Sequence, residues 1–267
     1  MAKKILFINQ EMLPYVPESE MSNMGRLAPQ KVVEKGFEIR TFMPKWGNIN
    51  ERRGQLHEVI RLSGMNLIIN ETDHPLIIKV ASMQACRTQV YFIDNDDYFT
   101  KRLMGVDADG KPYGDNGERA IFFARGVLET VKKLRWVPDI IHCQGWMSYA
   151  VPLFVKTAYA DEPSFANAKV VTSLFGNELE GSVCDDFRDC IAYRSVDGSV
   201  LSDYPETITY RELAKIAIGY SDAVVEATGD VNADLSAFAA ASGKPFLSYP
   251  GDDFGKAYAD FYNSLLG

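Results

Sequence analysis

The sequence predicts an α/β protein built on a Rossmann-like, doubly wound and mostly parallel sheet. Short continuous apolar runs, which are typical of buried parallel strands, alternate along the chain with longer segments of helical periodicity. The opening, residues 4–43, has the order strand, loop, helix and strand that defines a βαβ unit. With 267 residues, of which 46% are hydrophobic, the chain can bury a large core, so a single domain over residues 1–267 is the simplest prediction.

The first βαβ unit begins with an apolar strand over Lys4–Asn9. A helix is predicted over Met24–Glu34, because Gly36 stands where a helix C-cap is favoured. A second strand covers Phe37–Met43 and is closed by Pro44. These elements predict two neighbouring parallel strands whose carboxyl ends lie at the same edge of the sheet.

Residues 45–114 interrupt this alternation and are predicted to be an insertion. Three strands follow one another there, over Leu67–Asn70, Leu76–Ser82 and Thr88–Ile93. Because the connections between them are short, we expect a small antiparallel hairpin layer attached to the main sheet. A loop rich in Asp and Gly, residues 94–114, then returns the chain to the main domain.

Regular alternation resumes after the insertion. Glu118–Arg135 is predicted to be a long helix, because its apolar residues recur at helical spacing. Further helices are predicted over Trp146–Tyr159, Ser182–Tyr193, Ile208–Tyr220, Val231–Ala241 and Gly255–Leu266. Strands are predicted over Asp139–Cys143, Lys169–Phe175, Ala223–Ala227 and Phe246–Tyr249. We expect Lys4–Asn9, Phe37–Met43, Asp139–Cys143 and Lys169–Phe175 to be adjacent in the core of the sheet.

Composition and charge exclude several kinds of function. The net charge is −8 with a pI near 5.0, which disfavours a nucleic-acid groove. Lys132, Lys133 and Arg135 form a local basic patch, interpreted as a helix end that complements the helix dipole. No secretory signal or membrane-spanning run is recognised, so a cytoplasmic protein is expected. Since Gly25 is the only glycine in the first βα loop, there is no dinucleotide fingerprint, and we expect no cofactor. The cysteines lack metal-type spacing and the acidic clusters do not follow the calcium-loop pattern, so we expect no metal.

Four short segments, taken in order, resemble motifs of a known enzyme family. They are Glu11–Pro14, Met43–Gly47, Asp94–Phe99 and Asp115–Arg119. Together they resemble bacterial glycogen and starch synthases, the glycosyltransferase family that uses ADP-glucose. The resemblance covers about Lys3 to Tyr220, which corresponds to the amino-terminal, starch synthase catalytic-type half of that family's two-domain GT-B fold.

The resemblance implies a fold, an activity and a missing part. It implies that the chain is one half of a GT-B fold and that the family activity is α-1,4-glucan synthesis from ADP-glucose. In the family, a second domain binds most of the donor nucleotide. The segment after Tyr220 is too short for that domain, so we expect no donor-nucleotide domain in this sequence.

The motifs that should serve the donor depart from the family pattern. The family has Lys-x-Gly-Gly-Leu after the first motif, and its lysine meets the donor phosphates; here the stretch is Pro17–Met21, with carboxylates at Glu18 and Glu20. Such a loop would repel a phosphate. The family's His-x-His-Asp-Trp-His reads His142–Met147, and its Thr-x-His-Asn reads Thr172–Phe175.

Residues near these altered motifs are the candidates for a binding site. Gln144 replaces the family's middle histidine and can hydrogen-bond a sugar hydroxyl, but it does not titrate near neutral pH. His142 has two interpretations, a ligand-binding residue or a strand-end residue bonded to backbone. Ligands of such sheets bind beyond the carboxyl ends of the strands, here the loops after Gln10, Cys143 and Phe175. The predicted ligand-binding residues are Glu11, His142, Gln144, Trp146, Asn177 and Glu178.

Three hypotheses about function follow. The first is a catalytically degenerate glycogen-synthase-like protein that binds a sugar, a glucan or a protein. The second is an active glucosyltransferase that works with a second chain or as an oligomer. The third is a different enzyme on the same scaffold, with Glu11, His142 or Glu178 as acid or base.

A half-sized relative of a two-domain enzyme is also expected to expose the face that meets the partner domain. Methionine and aromatic residues suit adaptable contacts on such a face. We therefore expect a homo-oligomer or a protein partner there, contacted by Met12, Tyr15, Met21, Met24 and Met147.

Overall fold

The computed structural model describes residues 2–83, 88–176 and 179–267. In these ranges one ten-stranded mixed sheet forms the centre of the molecule. In chain order its strands are β1 (Lys4–Asn9), β2 (Glu38–Pro44), β3 (His57–Glu58), β4 (Met65–Ile69), β5 (Thr72–Met83), β6 (Thr88–Asp94), β7 (Ile140–Gln144), β8 (Lys169–Leu174), β9 (Ala223–Glu226) and β10 (Phe246–Leu247).

The spatial order of the strands is β10-β9-β8-β7-β1-β2-β6-β5-β3, and β4 pairs with β5 outside this row. All pairs from β10 to β6 are parallel, whereas β5 pairs in antiparallel fashion with β3, β4 and β6. The predicted neighbourhood of the four apolar strands is confirmed, with β8, β7, β1 and β2 side by side. The continuous apolar runs mark strands that are buried on both faces.

Helices cover both faces of the sheet, as the doubly wound prediction requires. They are α1 (Glu20–Glu34), α2 (Glu51–Gly54), α3 (Asn116–Lys133), α4 (Ala150–Lys156), α5 (Phe187–Cys190), α6 (Tyr210–Tyr220), α7 (Ala233–Ala241) and α8 (Phe254–Leu266). Single turns of 3₁₀ helix occur at Trp146–Ser148, Gly198–Leu201 and Gly251–Asp253, and one π-helical turn at Asp96–Thr100.

The two faces have separate apolar cores. On one face, α1 and α8 pack Val32, Tyr258 and Tyr262 against Ile5 and Phe7 of β1. On the other face, the larger core contains the apolar sides of α3, α4 and α6. No helix within the described ranges is long and apolar enough to cross a membrane.

The insertion differs from the sequence prediction in one strand. The strand expected at Thr88–Ile93 is β6, which lies parallel to β2 with Val90 opposite Thr41, so it belongs to the main sheet. Its residues from Val90 to Asp94 are all buried, which is the pattern of a central strand. The antiparallel hairpin is therefore formed by β4 and β5, with β3 paired beside it.

Three helices differ from their predicted bounds by more than two residues. α1 begins at Glu20 instead of Met24, because Ser19 caps it and Ser22 completes a capping box. The helix predicted over Trp146–Tyr159 is a 3₁₀ turn followed by the short α4. Within the stretch predicted as Ser182–Tyr193, only α5 is helical, because Ser182 forms a β-bridge with Thr209.

Candidate functional site

The carboxyl ends of β1, β7 and β8 meet in one crevice, as predicted from the strand order. Gln10 joins the loops that border this crevice. The Gln10 backbone N–H donates to the carbonyl of Gln144 over 2.9 Å, and the Gln10 side-chain oxygen accepts the N–H of Met147 over 3.2 Å. The indole of Trp46 donates to the Gln10 carbonyl over 2.8 Å. The floor of the crevice is therefore a rigid, hydrogen-bonded layer.

The amino terminus of α1 lies at this crevice and is closed by the protein's own side chains. The Ser19 hydroxyl accepts the backbone N–H of Ser22 over 2.9 Å, and the Ser22 hydroxyl accepts that of Ser19 over 2.8 Å. Ser19 also donates to the Glu11 carboxylate over 2.7 Å. With Glu18 and Glu20 in the same turn, three carboxylates surround the helix end where an anion would otherwise be attracted.

His142 is placed away from the crevice, in the interior between the sheet and α8. Its Nδ1 contacts the hydroxyl of Tyr262, and its Nε2 lies 2.6 Å from the hydroxyl of Ser173. The ring also packs near Phe7 and Tyr258. Complete burial lowers the pKa of His142 to about 3, so the imidazole is neutral. It is thus neither exposed to a ligand nor bonded to backbone, the two alternatives left by the sequence.

Gln144 is also buried, and its amide has no partner. Only 1% of its surface is exposed, and neither its Oε1 nor its Nε2 forms a hydrogen bond within the described part of the chain. Asn9 pairs with it across β1 and β7, donates to the Gly25 carbonyl over 3.0 Å, and leaves its own Oδ1 unpartnered. Buried amide groups without a partner are costly, so Asn9 and Gln144 retain unused hydrogen-bonding capacity beneath the strand ends.

Trp146 lines a small aromatic pocket on the other side of the crevice. Its ring meets that of Tyr210 edge to face, with centroids 5.2 Å apart. The pocket has a volume of only about 20 Å³, and its remaining walls are Met21, Gly145, Tyr149, Phe175, Leu179 and Ala214. Gly145 is required here: its φ is +84°, and a Cβ would lie 2.8 Å from Gln10 and Met21.

A larger and more polar cleft lies next to this pocket, beyond the apolar contact of Met21, Phe175 and Ala227. It runs between the amino ends of α1 and α8 and has a volume of about 180 Å³. Its walls include the ring of Tyr249, which is 45% exposed. The polar groups facing it come from Glu20, Asn23, Thr228 and Asp252. The local signal for this cleft in the sequence is the turn Tyr249–Asp253, which contributes Tyr249, Gly251 and Asp252 to its walls.

The six predicted site residues are therefore only partly brought together. Glu11 and Trp146 stand at the crevice but are mostly buried, Gln144 lies beneath it, and His142 belongs to the core under α8. Asn177 and Glu178 lie outside the described residues.

The predicted methionine surface is not present, and this expectation was wrong in its premise. Met12 and Met147 are completely buried, and Met21 is 3% exposed. Tyr15 and Met24 are partly buried and pack against the two cores. These side chains fill the space between loops and helices, so they do not form a docking face.

The Asp115–Arg119 segment serves the fold. Arg119 is completely buried, donates to the carbonyl of Tyr98 over 2.8 Å and to Asn116 over 2.6 Å, and lies over the ring of Trp46. Burial lowers its pKa to about 10. Asn116 in turn donates to the hydroxyl of Tyr210 over 2.6 Å. The segment thus ties the 94–114 loop to α3 and α6.

One group of metal-type ligands occurs in the described ranges. Glu118, Asp186 and Cys190 have ligand atoms within 4.8 Å of one another. Burial raises the pKa of Glu118, and the neighbouring Asp186 adds to that effect. Tyr98 donates to Glu118 over 2.9 Å and Asn70 to Asp186 over 2.6 Å, so both carboxylates are already hydrogen-bonded by the protein.

Comparisons with known proteins agree with this geometry. Residues 4–228 match the family model described as the starch synthase catalytic domain. A glycogen synthase of Chlorobium luteolum is 37% identical over 179 residues, covering 67% of this chain and 37% of that protein. A glycogen synthase of Chlorobaculum tepidum is 36% identical over 196 residues, covering 68% of this chain and 40% of that protein. The chain thus spans less than half the length of these relatives.

A solved structure shares the fold. The catalytic domain of starch synthase IV from Arabidopsis thaliana, bound to ADP and acarbose, superposes with a TM-score of 0.73 at 17% identity. The superposition covers 93% of this chain and 51% of that domain. The architecture of this chain is therefore that of about one half of a GT-B starch synthase.

Proposed function

Because this chain belongs to the starch synthase catalytic domain family, we propose that it is a catalytically degenerate member that binds a neutral sugar or glucan. The binding site in this proposal is the polar cleft between the amino ends of α1 and α8. The named relatives are glycogen synthases, so a glucan is the ligand class that the family supplies.

The observation that carries the proposal is the closed, acidic end of α1. Ser19 and Ser22 satisfy each other's backbone groups, and Glu11, Glu18 and Glu20 surround them. A phosphate brought to this helix end would meet carboxylates and find the N–H groups of Ser19 and Ser22 already engaged. A neutral sugar has hydroxyl groups that donate to carboxylates, so the same charges favour it.

The polar cleft offers contacts that suit a sugar. Glu20 and Asp252 supply hydrogen-bond acceptors, Asn23 supplies an amide and Thr228 a hydroxyl. The half-exposed ring of Tyr249 gives an apolar surface for a pyranose face.

The alternative, an active glucosyltransferase completed by a second chain, gains no support from the Asp115–Arg119 segment. Asp115 pairs with Arg102 over 2.8 Å, and Glu118 accepts from the hydroxyl of Tyr98. Since these side chains have internal partners, the segment's retention is explained by stability alone.

Calorimetric titration of the purified chain tests the proposal. We expect maltooligosaccharide to bind and ADP to bind more weakly at the same ionic strength. Tyr249→Ala should abolish most of the sugar affinity, while Phe238→Ala, which removes another half-exposed ring on α7, should leave it unchanged.

Two results would contradict the proposal. The first is tighter binding of ADP than of maltooligosaccharide. The second is transfer of labelled glucose from ADP-glucose to glycogen at a rate that Gln144→Ala abolishes, because that would make the crevice a working active site.

A further inference from the structure

A basic cleft lies at the amino-terminal edge of the sheet, at the opposite end from the crevice. Its volume is about 450 Å³. The polar side chains that line it are those of Arg40, Arg61, Gln89, Tyr91 and Lys133, and two leucines complete its wall. None of these residues takes part in the fold contacts of the family motifs or in the sugar cleft.

The cations reach the cleft from three separate elements. Arg40 is on β2, Arg61 is in the connection from β3 to β4, and Lys133 is the last residue of α3. Like charges repel, so convergence from three elements has an electrostatic cost that a counter-charge would relieve. A charged helix end alone would not bring Arg40 and Arg61 to the same place.

Lys133 differs from its neighbour Lys132 in a way that the sequence did not distinguish. Lys132 forms ion pairs with Glu129 over 3.2 Å and Glu162 over 3.3 Å. The ammonium of Lys133 instead reaches the carbonyl of Leu62 over 3.2 Å, in the same connection that holds Arg61. Lys133 therefore belongs to the cleft and not to the ion-paired end of its helix.

Among the described residues, no carboxylate lines this cleft, although the chain carries a net charge of −8. In the ranges that the structure covers, Arg40, Arg61 and Lys133 form no ion pair with Asp or Glu. The flanking carboxylate is Glu38, two residues before Arg40 on β2, and it accepts the indole N–H of Trp136 over 2.7 Å.

Arg40 is held in a fixed position, whereas the other two cations are exposed. Its guanidinium lies 5.7 Å from the ring centre of Tyr91 and 5.4 Å from that of Trp136, and it donates to the Tyr91 hydroxyl over 2.8 Å. Burial raises the pKa of Tyr91, while Arg40 and Arg61 act to lower it, so both cations are within electrostatic reach of this hydroxyl. Arg40 is a preorganised donor, and Arg61 and Lys133 can close on a bound group.

We propose that this cleft binds a small molecule through a phosphate or diphosphate group. Arginine forks match phosphate oxygens, and a lysine adds a point charge beside them. The volume falls in the range of small-molecule sites. A long polyanion such as RNA is disfavoured, because the rest of the acidic molecule would repel the part that extends beyond the cleft.

Titration with inorganic pyrophosphate at low ionic strength tests this proposal. Arg61→Gln and Lys133→Gln should each weaken binding about tenfold or more, since each removes a charge-assisted hydrogen bond. Arg52→Gln is the matched control: it removes the same charge from an exposed position on α2, and it should leave affinity unchanged. Arg40 is left intact in these variants because its packing between two rings supports the fold.

ATP and inorganic phosphate, measured in parallel, show which phosphate chemistry the cleft prefers. Affinity for any of them should fall as salt rises. Absence of millimolar pyrophosphate binding, an equal loss in Arg52→Gln, or tighter binding of a long RNA than of pyrophosphate would each overturn the proposal. Thermal unfolding of each variant confirms that affinity, and not folding, has changed.

Discussion

The hydroxyl of Ser19 donates a 2.7 Å hydrogen bond to the carboxylate of Glu11 while it caps α1 by accepting the N–H of Ser22 over 2.9 Å. A single side chain thus joins the loop after β1 to the first turn of the next helix. The end of α1 that would otherwise attract an anion is occupied by the protein's own oxygen atoms. In the proposed function, this contact is what keeps a donor phosphate away from the helix end.

Ser19→Ala should destabilise the protein by about 1–2 kcal/mol, because it removes an N-cap and a partner of the Glu11 carboxylate. Urea unfolding gives the free energy of unfolding. Ser202→Ala is the control, since Ser202 is exposed and caps the end of a 3₁₀ turn through its backbone N–H, which alanine keeps. An equal effect of the two substitutions would show that the Ser19 contacts contribute nothing specific.

His142 should make stability fall in mild acid. Its folded-state pKa of about 3 lies below the ordinary 6.5, so between these values the unfolded chain binds a proton that the folded chain does not. The stabilisation is present above pH 6.5 and is lost as pH falls toward 3, by up to about 1.4 kcal/mol per pH unit.

The measurement is the free energy of unfolding between pH 7 and pH 4 in the native chain and in His142→Gln. The variant should show a shallower pH dependence. His57→Gln, at an exposed position on β3, should keep the native slope. If His142→Gln also keeps the native slope, the buried imidazole is not the group that titrates on unfolding.

Arg119→Met should cost about 3 kcal/mol or more, because the carbonyl of Tyr98 and the amide oxygen of Asn116 would lose their donor inside the protein. The loss of unfolding free energy in Arg119→Met should exceed the loss in Arg52→Gln, at an exposed position, by most of these roughly 3 kcal/mol. Chemical denaturation measures both. A loss below about 0.5 kcal/mol would mean that the buried guanidinium is not a structural tie.

Gly145→Ala should destabilise the protein by more than the backbone strain of a positive φ would by itself, because the added methyl group also has no room. The position has φ +84° and a Cβ there would lie 2.8 Å from Gln10 and Met21. Gly243→Ala is the matched control, since Gly243 has φ +70° with nothing within 4 Å of an added Cβ. The control should cost about 1 kcal/mol, and Gly145→Ala should cost at least twice as much. Equal costs would show that the loop can move away from the methyl group.

The sequence alone determined the strands and most of the helices, because each depends on residues that are neighbours in the chain. The apolar run Lys4–Asn9 is β1 without change of bounds, and the periodic segment near Glu118–Arg135 is α3. Adjacent parallel strands and the family resemblance followed from the same local patterns and were confirmed. The early start of α1 was readable as well, since Ser19 and Ser22 are a local capping signal that the prediction did not use.

The tertiary structure alone decided what each side chain faces. His142 lies under α8 because Tyr262, 120 positions later in the chain, packs over it. Likewise, Met12 and Met147 are core residues, and the Gln144 amide is turned into the interior. Lys132 and Lys133 are adjacent in sequence, yet one is ion-paired and the other lines a cleft. Burial and charge pairing are set by contacts between distant segments, and no local pattern of residue types contains that information.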